Sequence, residues 1–153
     1  MQVEIQALTE SHAKSELCGV ILGTLPGWFG RPEANAHYCD KIVDRAVFAA
    51  VIDGMSRGLI ALEYHFGLTC NIWLLGVMPQ FHRRGIGAEL IACAEREACL
   101  RKCRQLAVET VSPRMNSPEY EITRRFYRRL GFIPFVEFEP APGDHMMWLL
   151  RPI

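Results

Sequence analysis

No stretch of this 153-residue chain runs apolar for the roughly 20 residues that a membrane-spanning helix needs, because charged or turn residues interrupt every candidate. Glu4 and Glu10 stand where a secretory leader would need a basic segment and then an apolar one, so no leader and a cytoplasmic location are expected. There is no C-x-x-C pair and no Cys/His cluster at zinc-ligand spacing among Cys18, Cys39, Cys70, Cys93, Cys99 and Cys103, which argues against a zinc ribbon or a dithiol redox motif. Free thiols and no metal are expected, with Cys99 and Cys103 four apart on one helix face. Repeats, low-complexity tracts and long linkers are also lacking, which leaves residues 1–153 as a single domain. At that length about two-thirds of the unfolded chain's surface can be buried, enough for a core without disulfides.

Neither charge sign prevails, since 17 basic side chains meet 17 acidic ones. The balance hides an uneven distribution. Residues 79–131 carry 11 basic and 6 acidic groups, whereas residues 1–78 carry 5 and 8, and residues 132–153 carry 1 and 3. A local excess of arginine without a global one suits a site for one anionic ligand better than a general nucleic-acid surface.

The apolar pattern predicts a short strand over Val3 to Leu8, then a helix capped by Thr9 or Ser11 and stopped at Pro26-Gly27. A second helix starts near Pro32 and ends near Val43. Ala46 to Ile52 runs into Asp53-Gly54, a two-residue hairpin signal that pairs it with Gly58 to His65. A turn at Gly67 leads to Cys70–Val77, so these three strands make an antiparallel meander closed by Pro79. Gly85 to Cys103 carries Ile86, Leu90, Cys93, Ala94 and Ala98 at helical spacing. Leu106 to Val111 follows as a strand, Glu119 to Leu130 as a helix, and Phe132 to Phe138 and His145 to Leu150 as two last strands.

The segment with the most chemistry is Leu75-Gly76-Val77-Met78-Pro79-Gln80-Phe81-His82-Arg83-Arg84-Gly85-Ile86-Gly87-Ala88, where a strand ends, a basic loop follows and a helix opens on two glycines. Free N–H groups at a helix N-terminus attract anions, and glycine lets a phosphate approach the main chain. The loop is not a Walker A motif, and Leu90 occupies the place of the third glycine of G-x-G-x-x-G. Val77-Met78-Pro79 followed by His82-Arg83-Arg84-Gly85-Ile86-Gly87, together with Phe126-Tyr127 ahead of Gly131-Phe132, resembles the GNAT superfamily of acetyl-CoA-dependent N-acetyltransferases. His82 departs from the Gln or Arg usual at the first position.

The resemblance implies an α/β (α+β mixed) fold: a central mixed sheet of six to seven strands, splayed between the fourth and fifth and flanked by about four helices. It implies acetyl-CoA as co-substrate, bound by Leu75, Gly76, Val77, His82, Arg83, Arg84, Gly85, Ile86, Gly87, Ala88, Asn116 and Tyr127, and a strand bulge near Gly76 that turns the Val77 N–H toward the thioester. Tyr127 becomes the acid that protonates the departing thiolate. Asn71 stands where relatives often carry a glutamate base, so Glu63 or His65 is expected to serve, with Glu109 as a further choice. Trp28 and Phe29 fall where relatives build the acceptor pocket. The expected acceptor is a primary amine of a small molecule or a peptide N-terminus, attacked directly in a ternary complex. Two other readings are a catalytically silent acetyl-CoA sensor and an RNA-directed enzyme holding aminoacyl-tRNA by Arg124, Arg125, Arg128 and Arg129. A homodimer paired through the last strand is also compatible with the pattern.

Overall fold

The computed structural model describes residues 1–153. Seven strands form one sheet, with helices on both faces: β1 (Glu4–Leu8), α1 (Ser11–Gly23), α2 (Pro32–Lys41), β2 (Ala46–Ile52), β3 (Met55–His65), β4 (Thr69–Val77), α3 (Ile86–Leu100), β5 (Gln105–Val111), α4 (Pro118–Arg129), β6 (Ile133–Ala141) and β7 (Asp144–Pro152). The order across the sheet is β1-β2-β3-β4-β5-β7-β6, and only β4 and β5 run parallel. The two hairpin turns of the meander take left-handed backbone at Asp53-Gly54 and at Phe66-Gly67, as two-residue loops require. The expected mixed sheet is therefore present with seven strands and four α-helices.

Each face of the sheet has its own core. Leu59, Ala61 and Leu74 meet Cys18, Ile21 and Leu22 of α1 on one side, and Ile60, Leu62 and Ile72 meet Ile86, Leu90 and Ala94 of α3 on the other. The alternation along β3 and β4 that a two-sided sheet demands is what distributes these residues. Three details differ from the sequence reading. The cap of α1 is Glu10, whose carboxylate accepts from the His12 and Ala13 N–H groups at 3.0 and 2.8 Å. The last helical residue of α3 is Leu100, and Lys102 turns left-handed, so the buried Cys103 leaves the helix face that carries the exposed Cys99. The last strand, β7, lies inside the sheet, and the edge beside it is β6, with Phe135 67% exposed. No helix is long and apolar enough to cross a membrane.

The thiols differ in access. Burial pushes Cys70 up to about 12, while Cys99 alone is exposed. A native-state titration with an aromatic disulfide reagent should find one fast thiol, removed by Cys99→Ser; several equally fast thiols would contradict this packing.

Candidate active site

The site begins where two parallel strands part. β4 and β5 pair from Thr69–Gln105 to Ile72–Val108 and no further, although β4 continues to Val77 and β5 to Val111. The unpaired ends border a cleft of about 920 Å³. Met78 donates its N–H to the Arg57 carbonyl at 2.9 Å, so the alternation of an antiparallel ladder turns the Val77 main chain away from β3 and into the gap. The bulge that the resemblance assigned to Gly76 lies at Trp73: Ala61 pairs with Leu74 and Leu62 with Ile72, which leaves Trp73 as the extra residue. Gly76 pairs regularly with Leu59, and its lack of a side chain answers to packing, because a Cβ there would stand 2.8 Å from Ile21 Cγ2. Gly76→Ala should therefore cost roughly 1–3 kcal/mol through displacement of α1, measurable by denaturant unfolding.

At the mouth of the cleft, Pro79–Phe81 form a 3-10 turn and Arg83 and Gly85 take positive φ, which folds the loop back so that α3 starts facing the gap. No side chain caps α3, so its first-turn N–H groups remain for a ligand. Gly87 touches α4 closely enough that a Cβ would lie 2.9 Å from Phe126 Cε1. The cradle is thus walled by α4 and fits a pyrophosphate: free donors, a positive dipole end, and close main-chain approach. Arg83, Arg125 and Arg129 add positive charge along the cleft. His82 Nε2 donates to the Val77 carbonyl at 2.6 Å, tying the loop to the end of β4.

Leu75, Gly76, Val77, His82, Arg83, Gly85, Ile86, Gly87, Ala88 and Tyr127 all line the cleft. Arg84 and Asn116 do not: Arg84 lies over the Phe81 ring, 5.4 Å from its centroid, and Asn116 stands exposed in the loop before α4. Tyr127 is the buried residue of α4, set edge-on between Phe126 and Phe132 at 5.1 and 5.2 Å. Burial, with Tyr120 beside it, pushes its phenol well above the ordinary range, so it holds its proton throughout the neutral region.

The other end of the cleft is aromatic. Trp28 and Phe29 from the α1–α2 loop, Tyr38 of α2, Trp73 of β4 and Tyr120 of α4 all line it. Tyr38 meets Trp73 edge-on at 5.0 Å and Phe29 at 5.9 Å. Trp28 crosses to α4, where its Nε1–H donates to the Glu119 carbonyl at 3.1 Å and to Thr123 Oγ1 at 3.0 Å, while the Tyr120 hydroxyl donates to the Trp28 carbonyl at 2.8 Å. Trp73 and Tyr38 escaped the sequence reading because α2 buries no residue and Trp73 sits on a bulge that breaks the period-two pattern.

Glu63 and His65 lie elsewhere. They stand on β3 opposite Asn71 and Thr69, where β4 and β5 are still paired, and neither lines the cleft. Glu63 is held by Arg45 Nη2 at 2.9 Å, His65 Nε2 at 2.8 Å and Asn71 Nδ2 at 3.2 Å. Burial raises its carboxyl, but the bonds from His65 and Asn71 and the Arg45 charge outweigh that and hold it below the ordinary value. Arg45 in turn lies over the Trp73 ring at 4.7 Å, so Glu63 positions an aromatic wall of the cleft through Arg45. The carboxylate in the cleft is Glu109, at the end of β5 beyond the last β4 pair. It is open to the cleft, yet low-polarity walls and the Asp144 charge push its pKa up.

A cleft between diverging parallel strands, with an anion cradle at one end and a buried phenol within, defines a protein that holds an elongated phosphorylated ligand and a second molecule beside it. Comparison with known proteins narrows this. Residues 43–134 match the acetyltransferase (GNAT) domain. Over 118 residues the chain is 30% identical to the aminoglycoside N(6')-acetyltransferase type 1 of Salmonella typhimurium, an alignment covering 69% of this chain and 77% of that one. The fold matches a protein of the GNAT family from Desulfovibrio desulfuricans with a TM-score of 0.84 at 20% identity over 99% of each chain. It also matches the PaiA N-acetyltransferase of Thermoplasma acidophilum, solved with coenzyme A, with a TM-score of 0.76 at 15% identity over 100% of each. The chain belongs to the GNAT acetyltransferase family, and acetyl-CoA is its acetyl donor.

Proposed function

We propose that this protein transfers the acetyl group of acetyl-CoA to a primary amine of a small molecule by direct attack in a ternary complex. The observation that carries this is the continuity of one cleft from the α3 N-terminus, past Tyr127 and Val77, to Glu109 and the aromatic end. The pyrophosphate meets the free N–H groups of α3, and the pantetheine arm enters where β5 leaves β4. The ammonium form of the acceptor gives a proton to Glu109, directly or through water, and the neutral nitrogen attacks the thioester carbonyl carbon. A C–N bond forms while the carbonyl electron pair moves to oxygen, to which the Val77 N–H donates a hydrogen bond. The C–S bond then breaks, the thiolate takes the Tyr127 proton, and the nitrogen's remaining extra proton returns Tyr127 to its phenol. The products are the acetamide, the free thiol and one proton released to solvent.

Glu109 serves this scheme better than Glu63 or His65, because it faces the cleft and its raised pKa makes its carboxylate the stronger base. The rate should fall as pH drops through the Glu109 pKa, which lies above the usual value near 4.3. Glu109→Gln should flatten that acid limb of the kcat profile and lower kcat/KM about tenfold near neutrality, a modest loss for a base because water also removes the proton. Glu63→Gln should leave the limb in place. The silent-sensor reading rested on Asn71, and a cleft carboxylate from β5 removes that support. The RNA reading weakens as well, since Arg124 donates to the Val111 carbonyl at 2.8 Å and Arg125 to Glu121 at 2.7 Å.

A further inference from the structure

The acceptor end of the cleft carries a chemical bias that says which amines fit. Five aromatic residues, Trp28, Phe29, Tyr38, Trp73 and Tyr120, surround it, and Glu109 is the one carboxylate that lines it. The neighbouring acidic side chains of the β6–β7 hairpin are largely engaged: Glu137 holds Arg114 at 2.9 Å and Ser112, and Glu139 lies 3.4 Å from His145. Asp144 adds its charge to the surroundings of Glu109 but does not line the cleft. A polycationic aminosugar needs several carboxylates and many hydrogen-bonding groups, each matched to an amine or hydroxyl that would otherwise lose its water. Here the walls offer ring faces and edges in place of such groups.

Resting on the acetyl-transfer reading above, we infer that the acceptor is a small primary monoamine with an aromatic or apolar body, its nitrogen directed to Glu109 and its body held among Tyr38, Trp73 and Phe29. Rings suit this for two reasons. They bury the apolar body and pack edge-to-face against an aromatic one, and their faces attract the single ammonium before it surrenders its proton. The bonded crossing from Trp28 to α4 closes the side of this pocket, which keeps the acceptor short. Arg45, held by Glu63, lies over the Trp73 ring and fixes it in place.

The test compares 2-phenylethylamine with kanamycin as acceptors for the full chain with acetyl-CoA, each acetylated product being quantified by mass spectrometry. The expected result is a kcat/KM at least 10²-fold higher for 2-phenylethylamine. Tyr38→Leu and Trp73→Leu should each raise its KM about tenfold while changing kcat little, a split that general destabilisation would not produce. Calorimetric titration of the CoA-bound protein with 2-phenylethylamine should show saturable binding that Trp73→Leu weakens. Equal or greater kcat/KM for kanamycin overturns the acceptor class and leaves acetyl transfer standing. No product from either amine, with acetyl-CoA still stabilising the fold, also overturns it. Failure of acetyl-CoA itself to stabilise the protein removes the underlying reading as well.

Discussion

Gly87→Glu should abolish the stabilisation that acetyl-CoA gives the folded protein. At a ligand concentration 100 times its dissociation constant, wild type should gain about 2.7 kcal/mol, or roughly 5–10 °C in Tm for a domain of this size. The substitution removes that gain for two separable reasons. A carboxylate then stands where the α3 N–H groups meet the pyrophosphate, replacing an attraction by a repulsion. In addition, any side chain at this position strikes Phe126, since even a Cβ would approach its ring edge to 2.9 Å. The second effect lowers the melting point of the protein without ligand as well. Pairing Gly87→Glu with Phe126→Ala makes room and should recover part of that loss, while the response to acetyl-CoA stays absent. Full recovery of the response in the double variant would mean that the cradle does not meet the pyrophosphate.

Tyr127→Phe is expected to lower kcat by roughly 10²–10³-fold, the scale of a lost general acid. Because the ring stays between Phe126 and Phe132, the fold and the thermal response to acetyl-CoA should persist. The burial that raises the phenol's pKa has a consequence for pH dependence. A group whose acid form is the active one supports catalysis until pH climbs through its pKa, and here that point lies above the ordinary phenol range near 10. No loss of wild-type rate attributable to Tyr127 should therefore occur between pH 7 and 10. A departing CoA thiolate that is already well solvated would leave the variant nearly as fast as wild type, and that outcome would move Tyr127 to a purely structural role.

Much of the architecture was legible in the amino-acid order because it rests on local chemistry. Asp53-Gly54 demands left-handed backbone at both positions, and it produced the β2–β3 hairpin in the register that buries Leu59 and Ala61 on one face and Ile60 on the other. Gly85 and Gly87 marked the cradle for a similar reason, since one takes a positive φ and the other admits Phe126. The choice of Glu109 as the proposed base was not legible. Glu63 and Glu109 are both strand carboxylates, and what separates them is where β4 and β5 stop pairing, a distance relation between segments remote in sequence. The bulge at Trp73 was hidden likewise, because it exists only against the partner residues Ala61 and Leu62. The arginine flank of α4 looked uniform at helical spacing, but Arg124 turns inward to an unpaired carbonyl at the end of β5.

Placement of Glu109 at low-polarity walls, near Asp144, costs the folded protein stability, as a raised-pKa carboxyl in the proposed role of base would. A carboxyl whose pKa is raised on folding weakens stability above that pKa and does so less as pH falls through it. Glu109→Gln should accordingly raise Tm near neutrality while it slows the reaction, and the gain should vanish at acidic pH where the wild-type carboxyl is already neutral.

The most direct test of direct acetyl transfer in this cleft is the initial rate of acetylated amine formation, measured over a grid of acetyl-CoA and acceptor concentrations with 2-phenylethylamine first. Attack within a ternary complex predicts double-reciprocal lines that intersect, with Tyr127→Phe lowering the rate at saturation of both substrates. Parallel lines, the pattern of an acetylated enzyme that releases CoA before the amine binds, would contradict it.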